Sequence, residues 1–243
     1  MSKNRAHLLA LLVAMLMHGT IAFAQESYNG KRTRGGAGYF MLGWNAPEFQ
    51  QLSASLRAQG YPTFSNEALA FGGGGHYYLN RILLGGEGHA FKREKGNLAR
   101  TSGDFEATLE AGYGLFTLGY LLVPHDRLQL YPLFGFGGGV TRLKIVEKNP
   151  PAFEDVLNAP GRSAELSNGG LLLHFGLGAD TWLGIHRERR DYNGVMLGLR
   201  AGYLFTPVAG AWHLDEKKIR GGPEFDLSGP YARLVLGIGA LTP

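Results

Sequence analysis

The sequence predicts an all-β chain, an eight-stranded antiparallel up-and-down transmembrane β-barrel with a short helix in its first long loop. Three observations carry that expectation. Apolar and aromatic residues alternate with glycine or polar residues at period two through eight separate runs, as in strands with one apolar face. The connections between runs alternate between long and short, which sends long loops to one end of a barrel and tight turns to the other. The amino terminus has the three parts of a secretory leader, and no later stretch reaches the roughly 18 uninterrupted apolar residues of a membrane helix, so membrane contact falls to strands.

Composition narrows the alternatives. There is no cysteine among the 243 residues, which excludes disulfide scaffolds, zinc fingers and thiol chemistry. The 38 glycines are about twice ordinary usage without a collagen period, so they belong to ordered structure. A net charge of +4 falls to about +2 once Lys3 and Arg5 leave with the leader, and this balance offers nothing to nucleic acid. The leader is residues 1–24, with a basic start, an apolar run from Leu8 to Met17 and the ending Ala22-Phe23-Ala24. Residues 25–34 are expected as a periplasmic segment and 35–243 as the barrel domain.

The strands follow in order. Residues 35–44 put Phe40, Leu42 and Trp44 on one face, and 69–79 put Leu69, Phe71, Tyr77 and Leu79 opposite Ala70, Gly72, Gly74, His76 and Tyr78. In 81–92, Ile82, Leu84 and Ala90 oppose Leu83, Gly85, Glu87 and His89. Residues 104–122 set Phe105, Ala107, Leu109, Ala111, Tyr113 and Leu115 against Glu106, Thr108, Glu110, Gly112 and Gly114, with a slip near Phe116. In 128–146, Leu128, Leu130, Phe134, Phe136 and Val140 face away from Gln129, Tyr131 and three glycines. Leu171 to Ala179 alternate with His174, Gly176, Gly178 and Asp180 in 171–183. The last two runs pair outward Val195, Leu197, Leu199 and Tyr203 with Met196, Gly198 and Arg200, and outward Leu234, Leu236 and Ile238 with Tyr231, Arg233 and Val235. The link between the sixth and seventh runs, holding Arg187, Arg189 and Arg190, reads as longer than a tight turn.

Glycine decides which row faces out. A water-facing row would carry Thr, Lys, Ser and Glu, whereas the row opposite the large apolar residues is mostly glycine with a few charges. Eight strands enclose a space just wide enough for side chains, so small residues and mutually neutralising charges belong inside and the apolar row faces lipid. The expected interior charge network is Glu87, Glu106, Glu110, His174, Asp180, Arg200 and Arg233, with the two arginines as counter-charges to Glu106, Glu110 and Asp180. Tyr39, Tyr77, Tyr113, Tyr203, Trp44 and Phe205 are read as aromatic girdle residues.

Gly72-Gly73-Gly74-Gly75-His76-Tyr77-Tyr78, Gly135-Phe136-Gly137-Gly138-Gly139 and Gly176-Leu177-Gly178, with the loop alternation, resemble the small eight-stranded outer-membrane barrels represented by outer membrane protein X and the membrane domain of outer membrane protein A. The resemblance spans residues 35–241. It implies residence in the outer membrane, contact with its lipid, and delivery by the barrel assembly machinery. Many such proteins end on an aromatic residue, whereas this chain ends Gly239-Ala240-Leu241-Thr242-Pro243; no peptidoglycan-binding domain is expected after the eighth strand.

No motif demands catalysis or a cofactor. Glu87-Gly88-His89 shares a face but reads as inward barrel filling, and Glu106 and Glu110 stand about 13 Å apart along one strand, too far for paired-carboxylate chemistry. Gly72 to Gly75 leads into no helix, so it is not a phosphate loop. Lipid A-modifying barrels use Ser, His and an acid near the rim; the candidates here are His213 with Asp215 and Glu216, and Ser163 or Ser167. In the first long loop Phe49, Leu52 and Leu56 share a helical face before Gly60 stops the turn, a helix capping the barrel mouth or a lid for a ligand or partner. The expected role is therefore a monomeric structural or surface-interaction barrel with a plugged interior, binding no cofactor, whose long loops meet an extracellular ligand or surface. The alternative is a barrel handling lipid or a small ligand, as a rim enzyme or a soluble periplasmic binder.

Overall fold

The computed structural model describes residues 34–242 except 62, 93, 101–102, 125–127, 148–151, 159–162, 189–190, 215–216 and 225. The leader and nearly all of the periplasmic segment lie outside the described residues. Eight long strands form the wall: β1 (Arg34–Asn45), β2 (Ala68–Leu79), β3 (Ile82–Phe91), β4 (Gly103–Tyr120), β5 (Leu128–Glu147), β6 (Ser163–Glu188), β7 (Asp191–Ala209) and β8 (Gly229–Thr242). Each pairs antiparallel with its neighbour in sequence, and β1 pairs with both β2 and β8, so the sheet closes on itself without an edge. Closure satisfies every ladder position that an open sheet would leave unpaired. The predicted eight-stranded antiparallel barrel is the observed fold.

The connections are tighter than the sequence suggests in two places. The link after β3 is no loop: Glu94–Arg100 continues that strand and pairs with β4 from Glu94↔Leu109 to Arg100↔Gly103. At the other end β6 and β7 stay paired as far as Glu188↔Asp191, which leaves a two-residue link in place of the long one expected. Charged residues hid these extensions, because strands that outrun an apolar band lose the alternation that marks them. The β2–β3 turn is the expected two-residue one, and Asn80 takes the left-handed conformation there at φ 59°. In the first long loop α1 (Gln50–Ala58) forms as predicted and buries Leu52 and Leu56. Gly60, at φ 75°, ends it by donating its amide to the Arg57 carbonyl at 2.9 Å. A second helix, α2 (Phe153–Asn158), lies in the third long connection.

The outward row of the wall carries large apolar side chains, among them Phe116, Leu234 and Ile238 at 68%, 62% and 72% exposure. Most predicted outward rows are observed, and the inward glycines make room for large inward rings. A Cβ on Gly178 would collide with the Tyr131 ring, and one on Gly176 with the Tyr231 hydroxyl.

Strand β4 corrects the predicted facing. Ala107, Leu109, Tyr113 and Leu115 are buried inside, and Phe116 and Leu118 point out. The reason is the filling of the mouth. Phe49, Leu52, Leu56 and Phe64 descend from the first long loop and pack with Leu109, Leu115, Leu172 and Leu204. At that height the inside is apolar and the outside carries Glu106, Lys144 and Arg142, the reverse of the wall below it. Alternation in sequence is the same in both zones, so it does not reveal which face is inner. Toward the short-turn end a second apolar cluster, including Met41, Tyr78, Leu83, Tyr131, Trp182 and Met196, fills the interior.

Candidate functional site

Between the two apolar clusters lies a buried polar layer. Glu87 comes from β3, Arg200 from β7 and Arg233 from β8, all three side chains pointing inward because they hold the inner parity of their strands. Arg200 and Arg233 are register partners, so their guanidinium groups start from adjacent positions on neighbouring strands. Both turn to the same carboxylate: Arg200 Nη1 donates to Glu87 Oε2 at 2.9 Å and Arg233 Nη1 to Glu87 Oε1 at 3.3 Å. The three residues are 6%, 3% and 2% exposed. Burial at this depth costs several kcal/mol per ion unless each charge is paired and its remaining protons find acceptors.

Tyrosines supply most of those acceptors. Arg200 Nη1 also donates to Tyr39 OH at 3.1 Å, and its Nε donates to Tyr131 OH at 3.2 Å. Tyr131 in turn donates to Asp180 Oδ2 at 2.7 Å, so the second inward carboxylate reaches Arg200 through a phenol. Arg233 Nη2 donates to Tyr113 OH, and Asn45 Nδ2 donates to the same hydroxyl at 3.4 Å. The guanidinium of Arg233 lies 3.8 Å from the centre of the Tyr231 ring and that of Arg200 4.4 Å from Tyr39, so each is also held against an aromatic face. His89 Nε2 stands 3.3 Å from Glu87 Oε1, and His174 Nε2 is hydrogen-bonded to Tyr231 OH. Two arginines against Glu87 and Asp180 make the layer neutral when its histidines are neutral.

Of the predicted network, Glu87, His174, Asp180, Arg200 and Arg233 come together inside. Glu106 and Glu110 do not, because β4 turns its even-numbered positions outward. Glu106 instead accepts from Lys95 Nζ at 2.7 Å on the outer surface, and Glu110 stands opposite Arg142 of β5. The arginines therefore find Glu87 in place of Glu106 and Glu110. Tyr39 and Tyr113, read as girdle residues, are inner partners of the arginines, while Trp44, Tyr77 and Tyr203 face outward. The sequence reading missed Tyr39, Tyr113 and Tyr131 as ligands of the charges. For Tyr39 and Tyr131 the signal is the inner parity they share with Met41 and Gln129; Tyr113 shares the parity of Leu109 and Leu115, which the alternation alone sends to the wrong face.

The mouth on the long-loop side is closed by α1 and the fourth long connection. The Glu48 amide donates to the Ser228 carbonyl at 2.9 Å and the Ala46 amide to the Pro230 carbonyl at 3.0 Å. Trp212 donates its indole N–H to the Pro223 carbonyl at 2.6 Å. Burial of Phe49, Leu52 and Leu56 stabilises this cap by about 1.5–3 kcal/mol per side chain. Among the rim candidates, His213 stands opposite Ser167 across a short antiparallel pair; Ser163 pairs with Val146. Asp215 and Glu216 lie outside the described residues. No group of three or more His, Cys, Asp or Glu among the described residues is arranged to hold a metal ion.

No family model matches the sequence, and no curated protein matches it. Among solved structures, the chain is similar to Ail, the attachment invasion locus protein of Yersinia pestis, at 14% identity over 86% of this chain and 97% of that one, with a TM-score of 0.36. The Neisserial surface protein A matches at 10% identity over 86% and 96%, TM-score 0.35. The outer-membrane protease OmpT of Escherichia coli matches at 8% identity over 90% and 99%, TM-score 0.34. The fold stands on the chain's own strand pairing.

Proposed function

We propose that the chain is an outer-membrane β-barrel with a structural or surface-interaction role, exported by the leader at residues 1–24, with a sealed interior and its long loops outside the cell. One observation carries the reading: below the mouth, a closed barrel turns its large apolar side chains outward and keeps Glu87, Asp180, Arg200 and Arg233 inside. In water that arrangement exposes a continuous apolar belt, far beyond the patches soluble monomers show; in a bilayer it is the lower-energy one. The same observation disfavours a soluble periplasmic binder, whose apolar row would line a ligand cavity.

Three stacked layers support a sealed interior: the mouth cap, the arginine–carboxylate layer and the lower apolar cluster. Eight strands enclose side chains and no wide channel. The exposed loops, not the interior, are then the surface offered to an extracellular partner, and assembly as a monomer through the barrel assembly machinery is consistent with a wall that has no free edge.

Fractionation with heat-modifiable gel mobility tests the reading. The expected result is a membrane-bound species that migrates as a compact band until boiled, with no porin-sized conductance in planar bilayers. A detergent-independent soluble protein, or a large steady conductance from purified monomer, refutes it.

A further inference from the structure

The outer wall holds a groove of about 390 Å³ across β2 to β5, at the upper edge of the apolar belt on the long-loop side. Its floor is one cross-strand row, Phe71↔Ala90↔Gly112↔Val140, each residue the register partner of the next. Phe71 and Val140 are the walls, and Ala90 and Gly112 leave the space between them open. Toward the membrane interior the path continues over Gly88 and Gly114, where an added Cβ would meet nothing nearer than 3.9 Å.

One row toward the long-loop end the chemistry changes abruptly. Ala90 is followed on the outer face by Lys92, and Val140 by Arg142, with Glu110 between them as the register partner of Arg142. Among the described residues, two cations thus stand beside one carboxylate at the rim, and the nearby Glu106 is engaged by Lys95. The Lys92 amide is fixed to the Leu69 carbonyl at 2.7 Å, which anchors the base of that side chain. The groove is therefore apolar along its length and cationic at the end that reaches headgroup depth.

We infer that this groove seats an acyl chain of an anionic, phosphate-bearing membrane lipid whose phosphate is held by Lys92 and Arg142. The inference rests on the outer-membrane reading above. An alkyl chain matches the narrow apolar floor, and guanidinium and ammonium groups make charge-assisted bonds to phosphate oxygens. A second copy of the barrel is the poorer occupant. A two-fold axis along the membrane normal brings the same patch of each copy together at the same height, so Arg142 and Lys92 of one barrel would meet those of the other.

The test reconstitutes the full mature chain into nanodiscs of equal phosphatidylglycerol and phosphatidylcholine, then counts retained lipids by native mass spectrometry. Phosphatidylglycerol is retained preferentially. Loss of two charge-assisted contacts in Lys92→Gln/Arg142→Gln lowers that retention by about tenfold or more. Filling the groove with Ala90→Leu or Gly114→Leu lowers retention of both lipids, and excess inorganic phosphate leaves retention unchanged, which separates a lipid site from a free-anion site. Heat-modifiable mobility of each variant verifies that the barrel has formed. A wild-type chain that fails to enter nanodiscs overturns the outer-membrane reading itself. A chain that enters but holds the two lipids equally overturns the lipid site alone. So does undiminished phosphatidylglycerol in the double variant, displacement by inorganic phosphate, or barrel pairs that Ala90→Leu breaks.

Discussion

Glu87→Gln removes the one carboxylate on which both buried arginines converge. The substitution keeps the side chain's volume, so the change is electrostatic. Arg200 retains a path to Asp180 through Tyr131, but Arg233 is left with His89, Tyr113 and the Tyr231 ring and no carboxylate. Two charge-assisted hydrogen bonds are weakened, each worth about 1.5–3 kcal/mol. Their sum brackets the roughly 3–5 kcal/mol lost when one partner of a buried ion pair is deleted. A loss of about 4 kcal/mol at a urea slope of about 2 kcal/mol/M lowers the unfolding midpoint by about 2 M. The assay is urea unfolding of the barrel in lipid vesicles, followed by the fluorescence of Trp44, Trp182 and Trp212 and by heat-modifiable mobility. A double-mutant cycle with Arg233→Met isolates the pair, because removing the stranded cation restores part of the loss, with a coupling of about 1–3 kcal/mol. Strict additivity of the two substitutions, or a loss under about 1 kcal/mol for Glu87→Gln, refutes the arrangement in which this carboxylate holds the interior together.

Three further outcomes follow from the same geometry. Leu234→Arg places a charge on the outward face of β8 and is expected to cost about 2–4 kcal/mol and impair insertion; normal assembly of that variant contradicts an outward lipid-facing row. Because the chain has no native cysteine, Glu110→Cys and Leu109→Cys report the facing of β4 directly: a water-soluble maleimide should label the first and spare the second, and the opposite pattern restores the facing read from the sequence. Gly178→Ala drives a methyl group into the Tyr131 ring and is expected to lose about 1–3 kcal/mol by overpacking, while Gly86→Ala, whose added Cβ meets only the Leu115 carbonyl at 3.7 Å, stays within about 0.5 kcal/mol; equal losses at the two sites count against the inner packing described.

The number of strands, their antiparallel order, the lid helix and the outward rows of β5 to β8 were legible in the sequence, because period two and turn chemistry are local properties of the chain. Glycine opposite Leu, as at Gly198 between Leu197 and Leu199, also marked which face had to be the narrow one. Glu87, His174, Asp180, Arg200 and Arg233 all stand on that narrow face and are buried. What the sequence left open was decided by the fill of the barrel. Along β4 the apolar residues Ala107, Leu109 and Leu115 face inward, since Leu52 and Leu56 of the lid make the mouth apolar, and this sends Glu106 and Glu110 outside. Which carboxylate meets Arg200 and Arg233, and that Tyr39, Tyr113 and Tyr131 complete their hydrogen bonding, likewise depends on side chains 69 to 161 residues apart in the chain. A two-residue period states that a strand has two faces; only closure of the wall around a particular core assigns one of them to the inside.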